Sequence, residues 1–416
     1  MSKEINLEHI SKIEGHAKLH ILIDKSKIKK VELKIFEGSR YFEGLTIGKN
    51  YKELPYVTSR ICGICSPAHT ICSIQAIESA LGIKVSKQTQ ILREIIMCSG
   101  HIQSHVAHLY FLALPDYLGI ESMLQVMKKH KSLLERALRL KKIASHTTSV
   151  IGGRDIHPFS SIIGGFSATP TQKQINELVK ELKKAIPDVI ETIKLFEKLK
   201  SPKFTRKTKY FGLENIQLTH GQIRDEKKKI HKLHEEFKQF FQPDSYAEYS
   251  KLNEKPYMVG ALARLNQSKE LLPKQYQKHF PSNNPFDNNL AQAIEILFFL
   301  EKIIKLLKNL KIKKEKPVKL PSEIKLFGMS SVEAPRGILF HQYSFDKNGI
   351  CTKCDITTPT TQNLKQIEYD IKKLLPGILN KPKEEIQLNI EKLIRAYDPC
   401  ISCATHFLTL DIEQIK

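Results

Sequence analysis

Four cysteines in two widely separated pairs are the residues of this sequence best suited to chemistry. Cys62 and Cys65 lie in RICGICSPAH, and Cys400 and Cys403 lie in DPCISCATH. Two residues between cysteines let both sulfurs face one centre, so the two pairs together offer four thiolates to a metal. Zinc ribbons place such pairs ~15–20 residues apart, because the metal staples one small unit. Here most of a large globular chain intervenes, and a core of that size needs no staple. Four soft donors gathered from opposite ends of a 416-residue chain point to a buried catalytic metal, with structural zinc as the alternative.

The flanking residues predict the elements that must position these sulfurs. Ser66 reads as a helix N-cap and Pro67 as the first helical residue. Ile71, Ile74, Ile77 and Leu81 continue the stripe to Gly82. Cys65 then lies near the positive end of that helix, where a thiolate is favoured. Pro399 is expected to end the helical run IEKLIRAYD and to hold Asp398 extended. Both pairs are therefore placed on turns at helix ends.

Further helical periodicity marks roughly 88–113, 121–149, 172–198, 226–241, 289–311 and 383–397. Residues 5–36 alternate as an antiparallel hairpin or meander, and a second β-rich patch spans about 323–358. The segments 201–225 and 242–288 read as irregular excursions. The sum is an α+β chain, mainly helical, with peripheral β-hairpins.

Composition narrows the function. The 66 Lys+Arg against 44 Asp+Glu give a net charge of +22, which invites a nucleic-acid reading. The lysines are spread over helix faces and runs such as KKEKPVK, without the interleaved aromatics that stack bases, so nucleic acid is not the expected partner. No apolar run reaches the ~20 residues of a membrane span. The densest, IEILFFLEKIIKLL, is broken by Glu301, Lys302 and Lys305. The N-terminal MSKEINLEHI has no secretory pattern, and paired cysteines suit a reducing compartment, so a cytoplasmic location is expected.

RICGICSPAH and DPCISCATH resemble the two nickel-binding signatures of the large subunit of nickel–iron hydrogenases. KIEGH (Lys12 to His16), RYFEGLTIGK (Arg40 to Lys49), GHIQSHVAHLYFLALPD (Gly100 to Asp116), GGRDIHPFSSIIGGF, EAPRGIL and TPTTQN match further elements of that family in the same order. The histidine-rich stretch looks closest to its cytoplasmic, multimeric branch. The resemblance implies a long-helix bundle core in a single domain over residues 1–406, with a tail, 407–416, removed on maturation.

It also implies a nickel–iron centre with CO and cyanide on iron. Cys62 and Cys400 would bind nickel terminally, and Cys65 and Cys403 would bridge to iron. Glu14 would relay protons, Arg336 after Pro335 would overhang the metals and pair with Asp398, and Thr360 would donate to a cyanide. Glu43, the main-chain carbonyl of Ile356 and His406 would bind magnesium. His101, His105 and His108, at i, i+4 and i+7, share one helix face and would support the site without binding nickel. Ser104 stands where some branches carry an aspartate. His69 and Glu333 read equally as supporting or structural residues.

The implied activity is reversible cleavage of H2 to protons and electrons. The expected partners are a small subunit with iron–sulfur clusters, further diaphorase-type or carrier-reducing subunits, a maturation protease and nickel-insertion factors. Two alternatives remain at this stage. One is a quinone-reductase subunit of complex I, a relative that usually lacks these cysteines; the other is a zinc-stapled interaction protein. Cys351 and Cys354 form a third CxxC in a strand-like run, where they are expected to face opposite sides. Cys72 and Cys98 read as packing residues.

Overall fold

The computed structural model describes residues 2–7, 10–24, 27–36, 40–120 and 130–405. Its centre is a bundle of long helices. Lys87–Ala107 packs against both Lys131–Gly152 and Asn288–Asn309, and Gln172–Lys198 closes the bundle against the last two. Local signals set the helix ends. Ser86 accepts the Thr89 amide, Thr171 and Gln174 form a capping box, and Gly82 takes the left-handed conformation at φ 65° that closes Ser66–Leu81. After Ala107 the chain widens into a π-helical turn, His108–Ala113, of the sort often found at functional sites.

Three antiparallel strands, Ser2–Leu7, Ala17–Asp24 and Lys27–Ile35, form the expected N-terminal meander. Ala17, Leu19, Ile21 and Ile23 are buried on one face of the middle strand. A second antiparallel sheet joins Phe327–Ala334, Gly337–Phe345 and Cys351–Thr357, and the helix Ser66–Leu81 lies across its first strand. The architecture is α+β and mainly helical, as the sequence predicts.

Several elements differ from the periodicity. The stretch 226–241 holds the strand Ile230–His231, a four-residue helix and the strand Phe237–Phe241 rather than a helix. Phe237–Phe241 pairs with Glu248–Leu252 and stacks Phe240 on Tyr249 at 5.9 Å between centroids, so cross-strand packing overrides helical propensity. The two excursions are also ordered. They contain the strands Tyr210–Leu213 and Ile223–Asp225 and the helix Ala261–Gln267. Residues 121–129, inside one expected helix, and 406–416, which include His406 and the tail, lie outside the described residues.

A buried ion pair ties two core helices together. Arg93 donates to both carboxylate oxygens of Glu78 at 2.7 Å, and Glu78 also accepts the Gly164 amide at 2.8 Å. Glu78→Ala strands a buried cation and is expected to cost about 3–5 kcal/mol of stability. Chemical denaturation measures this, and a loss below about 1 kcal/mol would place the pair among weak surface bridges.

Candidate metal centre

Cys62 ends the 3-10 turn Ser59–Ile61 in extended conformation, and Cys65 is itself the N-cap of the helix Ser66–Leu81. The cap is thus one residue earlier than the sequence predicts. The Cys65 carbonyl accepts the first helical bonds, and the Ser66 hydroxyl instead donates back to the Gly63 carbonyl at 3.1 Å. The Cys65 amide points at Cys62 Sγ at 3.4 Å.

At the other end of the chain, Lys383–Ala396 stops before Asp398, and Cys400 precedes the 3-10 turn Ile401–Ala404. Asp398 is not extended. It adopts φ 52°, a conformation aspartate tolerates, because both its carbonyl and its carboxylate are bound to Arg336. The IEGH segment lies alongside as a parallel bridge between Glu14 and Cys400, with the Ile401 amide donating to the Glu14 carbonyl at 2.9 Å. Gly15 is required here: at φ 86° an added Cβ would meet Ile401 Cβ at 2.5 Å.

These turns bring the four sulfurs together. Cys62 and Cys400 are 3.7 Å apart, Cys65 and Cys403 3.2 Å, and Cys400 and Cys403 2.9 Å. All four lie within 4.8 Å of one another and are buried. Hydrogen bonds from Cys400 and Cys403, and the charge of Arg336, hold Cys62 well below the ordinary thiol range. Cys400 is pushed well above that range by its bonds to Cys403, Cys62 and Cys65 and by burial. A thiolate stabilised among packed thiols is a donor set made for a soft cation.

Charged and polar side chains complete the wall. Glu14 Oε2 lies 3.3 Å from Cys400 Sγ, and the same oxygen accepts the Ser402 amide at 2.9 Å while the Ser402 hydroxyl holds Oε1. Arg336 donates to the Asp398 carbonyl at 2.5 Å and Oδ1 at 2.8 Å, and to Ser104 Oγ at 3.4 Å. A serine at 104 therefore still serves the guanidinium. Burial opposes the charge of Arg336, but Asp398 and the sulfurs of Cys400, Cys65 and Cys62 outweigh it and keep the side chain cationic.

Thr360 lies in the first turn of a helix, Pro359–Leu374, that the helical periodicity of the sequence does not mark. Its Oγ1 accepts the Cys400 amide at 3.0 Å. Thr360→Val orphans that buried N–H, with an expected cost of about 1–3 kcal/mol. An unchanged denaturation midpoint would contradict the pairing.

The three histidines share a face but bond elsewhere. His101 bonds the Met97 carbonyl at 2.8 Å, and His105 bonds Glu295 at 2.9 Å. His108 bonds Gln292 at 2.5 Å, and Gln292 in turn donates to Asp398 Oδ2 at 3.2 Å, so this helix braces the aspartate. His69 Nε2 approaches Cys403 Sγ at 3.9 Å, and its Nδ1 bonds His341 at 3.1 Å. Glu333 and Pro335 belong to the support of Arg336: Glu333 and the Pro335 carbonyl are both held by Arg264.

Glu43 lies against Ile356 and accepts its main-chain N–H at 2.6 Å. One sequence expectation differs. Cys351 and Cys354 do not face opposite sides. A bulge between Ser344 and Phe345 shifts the strand register, and both thiols are buried and directed at Thr46. Ser402 and Arg264 join the site from beyond the residues that the sequence singles out. Ser402 is a spacer between paired cysteines and gives no signal, whereas an arginine inside the apolar run GALARLN implies buried carboxylate partners.

The family model described as nickel-dependent hydrogenase matches residues 40–137 and 289–406. Sulfhydrogenase 1 subunit alpha of Pyrococcus furiosus is 34% identical, covering 98% of this chain and 98% of its own length. Sulfhydrogenase 2 subunit alpha of the same organism is 31% identical, over 98% of this chain and 100% of its own. The solved structure of an NAD+-reducing [NiFe]-hydrogenase in the H2-reduced state superposes with TM-score 0.88 over 97% of this chain and 99% of that one. At 23% identity, that likeness speaks for the fold.

The chain belongs to the nickel-dependent hydrogenase family, as the catalytic large subunit of a hydrogenase. That decides against the quinone-reductase and zinc-staple alternatives. No helix among the described residues is long and apolar enough to cross a membrane.

Proposed function

We propose that Cys62 and Cys400 hold nickel terminally and that Cys65 and Cys403 share it with an iron carrying CO and cyanide. The observation that carries this reading is the convergence of four buried sulfurs from both ends of the chain, with a carboxylate 3.3 Å from one of them. Soft, mutually close sulfurs suit a thiolate-bridged pair of metals. When bound, the nickel–iron group supplies the redox centre at which H2 is split reversibly and heterolytically.

The chain's own residues handle the proton and the charge. Glu14 takes a proton from Cys400 Sγ, oriented for that by the amide and hydroxyl of Ser402. Arg336, fixed by Asp398, sets a positive charge against the sulfurs and supplies guanidinium donors to the cavity. Thr360 accepts the Cys400 amide, so its own hydroxyl hydrogen stays available to a cyanide. His101, His105 and His108 brace this wall from behind.

A magnesium ion held by Glu43, the Ile356 carbonyl and His406 remains part of the proposal, supported by the contact of Glu43 with the Ile356 main chain. Electrons leave through a small subunit with iron–sulfur clusters, because only four of the eight cysteines lie outside the centre and they are poorly spaced for a cluster chain. Its docking face is the exposed apolar set Tyr56, Ile64, Ile156 and Phe159, beside a cavity of about 240 Å³ lined by Arg60 and His157. Further carrier-reducing or diaphorase-type subunits, nickel-insertion factors and a protease acting on the tail complete the proposed partners. The free thiols fit a cytoplasmic setting.

The test is to purify the mature chain with its partners, then assay H2-dependent reduction of a viologen dye and record the infrared spectrum. Dye reduction with bands from iron-bound CO and cyanide is the expected result. A nickel-loaded preparation that reduces no dye and lacks those bands would overturn the reading.

A further inference from the structure

Arg264 has every one of its five N–H groups engaged. It lies on the short helix Ala261–Gln267 and is fully buried. Nε and Nη2 grip the two oxygens of Glu295 at 2.6 and 2.7 Å, and Nη1 holds Glu333 at 2.7 Å. The two remaining donors go to the carbonyls of Ala334 at 3.3 Å and Pro335 at 3.0 Å. Those are the two peptide groups immediately before Arg336.

The other side of the same turn is equally confined. A Cβ on Gly260 would meet the Arg336 carbonyl at 2.9 Å, and one on Gly337 would meet Val259 Cγ2 at 2.4 Å. The backbone of Arg336 is thus trapped between residues 259–260 and the guanidinium of Arg264. Glu295 is anchored separately by His105 Nε2 at 2.9 Å, and Glu333 by the Leu213 amide at 2.8 Å. Both carboxylates are therefore rigid posts for Arg264 rather than mobile counter-ions. Burial raises the Glu295 carboxyl, but Arg264 outweighs this and holds it at about 2.

We propose that Arg264 is a positioning residue for Arg336, fixing the backbone from which that side chain reaches Asp398 and the four sulfurs. The inference rests on the reading above that Arg336 faces the metal centre. A long side chain pivots on its Cα, so freedom in the Pro335 peptide becomes displacement of the Arg336 guanidinium. Lysine at 264 keeps the charge but has three donors from one nitrogen, and cannot span two carboxylates and two carbonyls together.

The test compares Arg264→Lys, Arg336→Lys and the double variant in the mature complex with its partner subunits. Metal content, kcat, KM for H2 and the cyanide infrared bands are measured for each. Arg264→Lys is expected to retain metal, to lower kcat by about tenfold to a hundredfold with KM changed far less, and to shift or broaden the cyanide bands. Added to Arg336→Lys, it should lower kcat by less than about twofold further.

Cyanide bands and kcat at wild-type values in Arg264→Lys, with only thermal stability reduced, would overturn the proposal, as would losses that multiply in the double variant. If Arg264→Lys does not mature, Glu295→Gln, which keeps shape but loosens the grip, must show a smaller shift in the same bands; unshifted bands refute the proposal. An Arg336→Lys enzyme indistinguishable from wild type would instead refute the reading of Arg336 itself.

Discussion

Glu14→Gln is expected to slow H2 turnover by about 10²–10⁴-fold while leaving the metal centre intact. The amide occupies the same space and still accepts from the Ser402 amide, so the turn that carries Cys400 keeps its geometry. What it loses is the capacity to take a proton from Cys400 Sγ, 3.3 Å away in the native chain. Dye-coupled H2 oxidation by the intact complex measures the loss, and metal analysis controls for assembly. A rate within about threefold of wild type would remove Glu14 from the proton route.

Cys65→Ser is expected to take nickel from about one atom per chain to almost none, because a serine hydroxyl is a harder and far less acidic donor than a thiolate. The fold should survive. Cys65 is the N-cap of the helix Ser66–Leu81, and serine is among the best residues for that role. The third pair supplies the control: Cys351→Ser, at a thiol directed at Thr46 rather than at the sulfur cluster, should keep its nickel. Equal metal loss in both variants would mean that nickel follows general thiol content and not the convergent four.

These sites were legible in the sequence to different degrees. Spacing alone assigned the cysteine pairs to one centre, since CxxC fixes local reach regardless of how the intervening chain runs. Only the resemblance distinguished Glu14 and Arg336 from ordinary surface charges, because neither carries a spacing signal. Asp398 departs from the extended form expected before proline, because that rule describes an isolated dipeptide and two bonds from Arg336 outweigh it. Cys351 and Cys354 depart from simple alternation because a bulge, invisible in the residue pattern, resets the strand's register. The strand Phe237–Phe241 shows the same effect at the level of an element: its partner decides its conformation.

Anomalous diffraction from crystals of the mature complex, collected on both sides of the nickel absorption edge, tests the central claim most directly. The account predicts a single nickel peak enclosed by Cys62, Cys65, Cys400 and Cys403, within bonding distance of all four sulfurs, roughly 2.3 Å by analogy with zinc–thiolate bonds. Nickel located away from these sulfurs, or zinc alone among them, would contradict it.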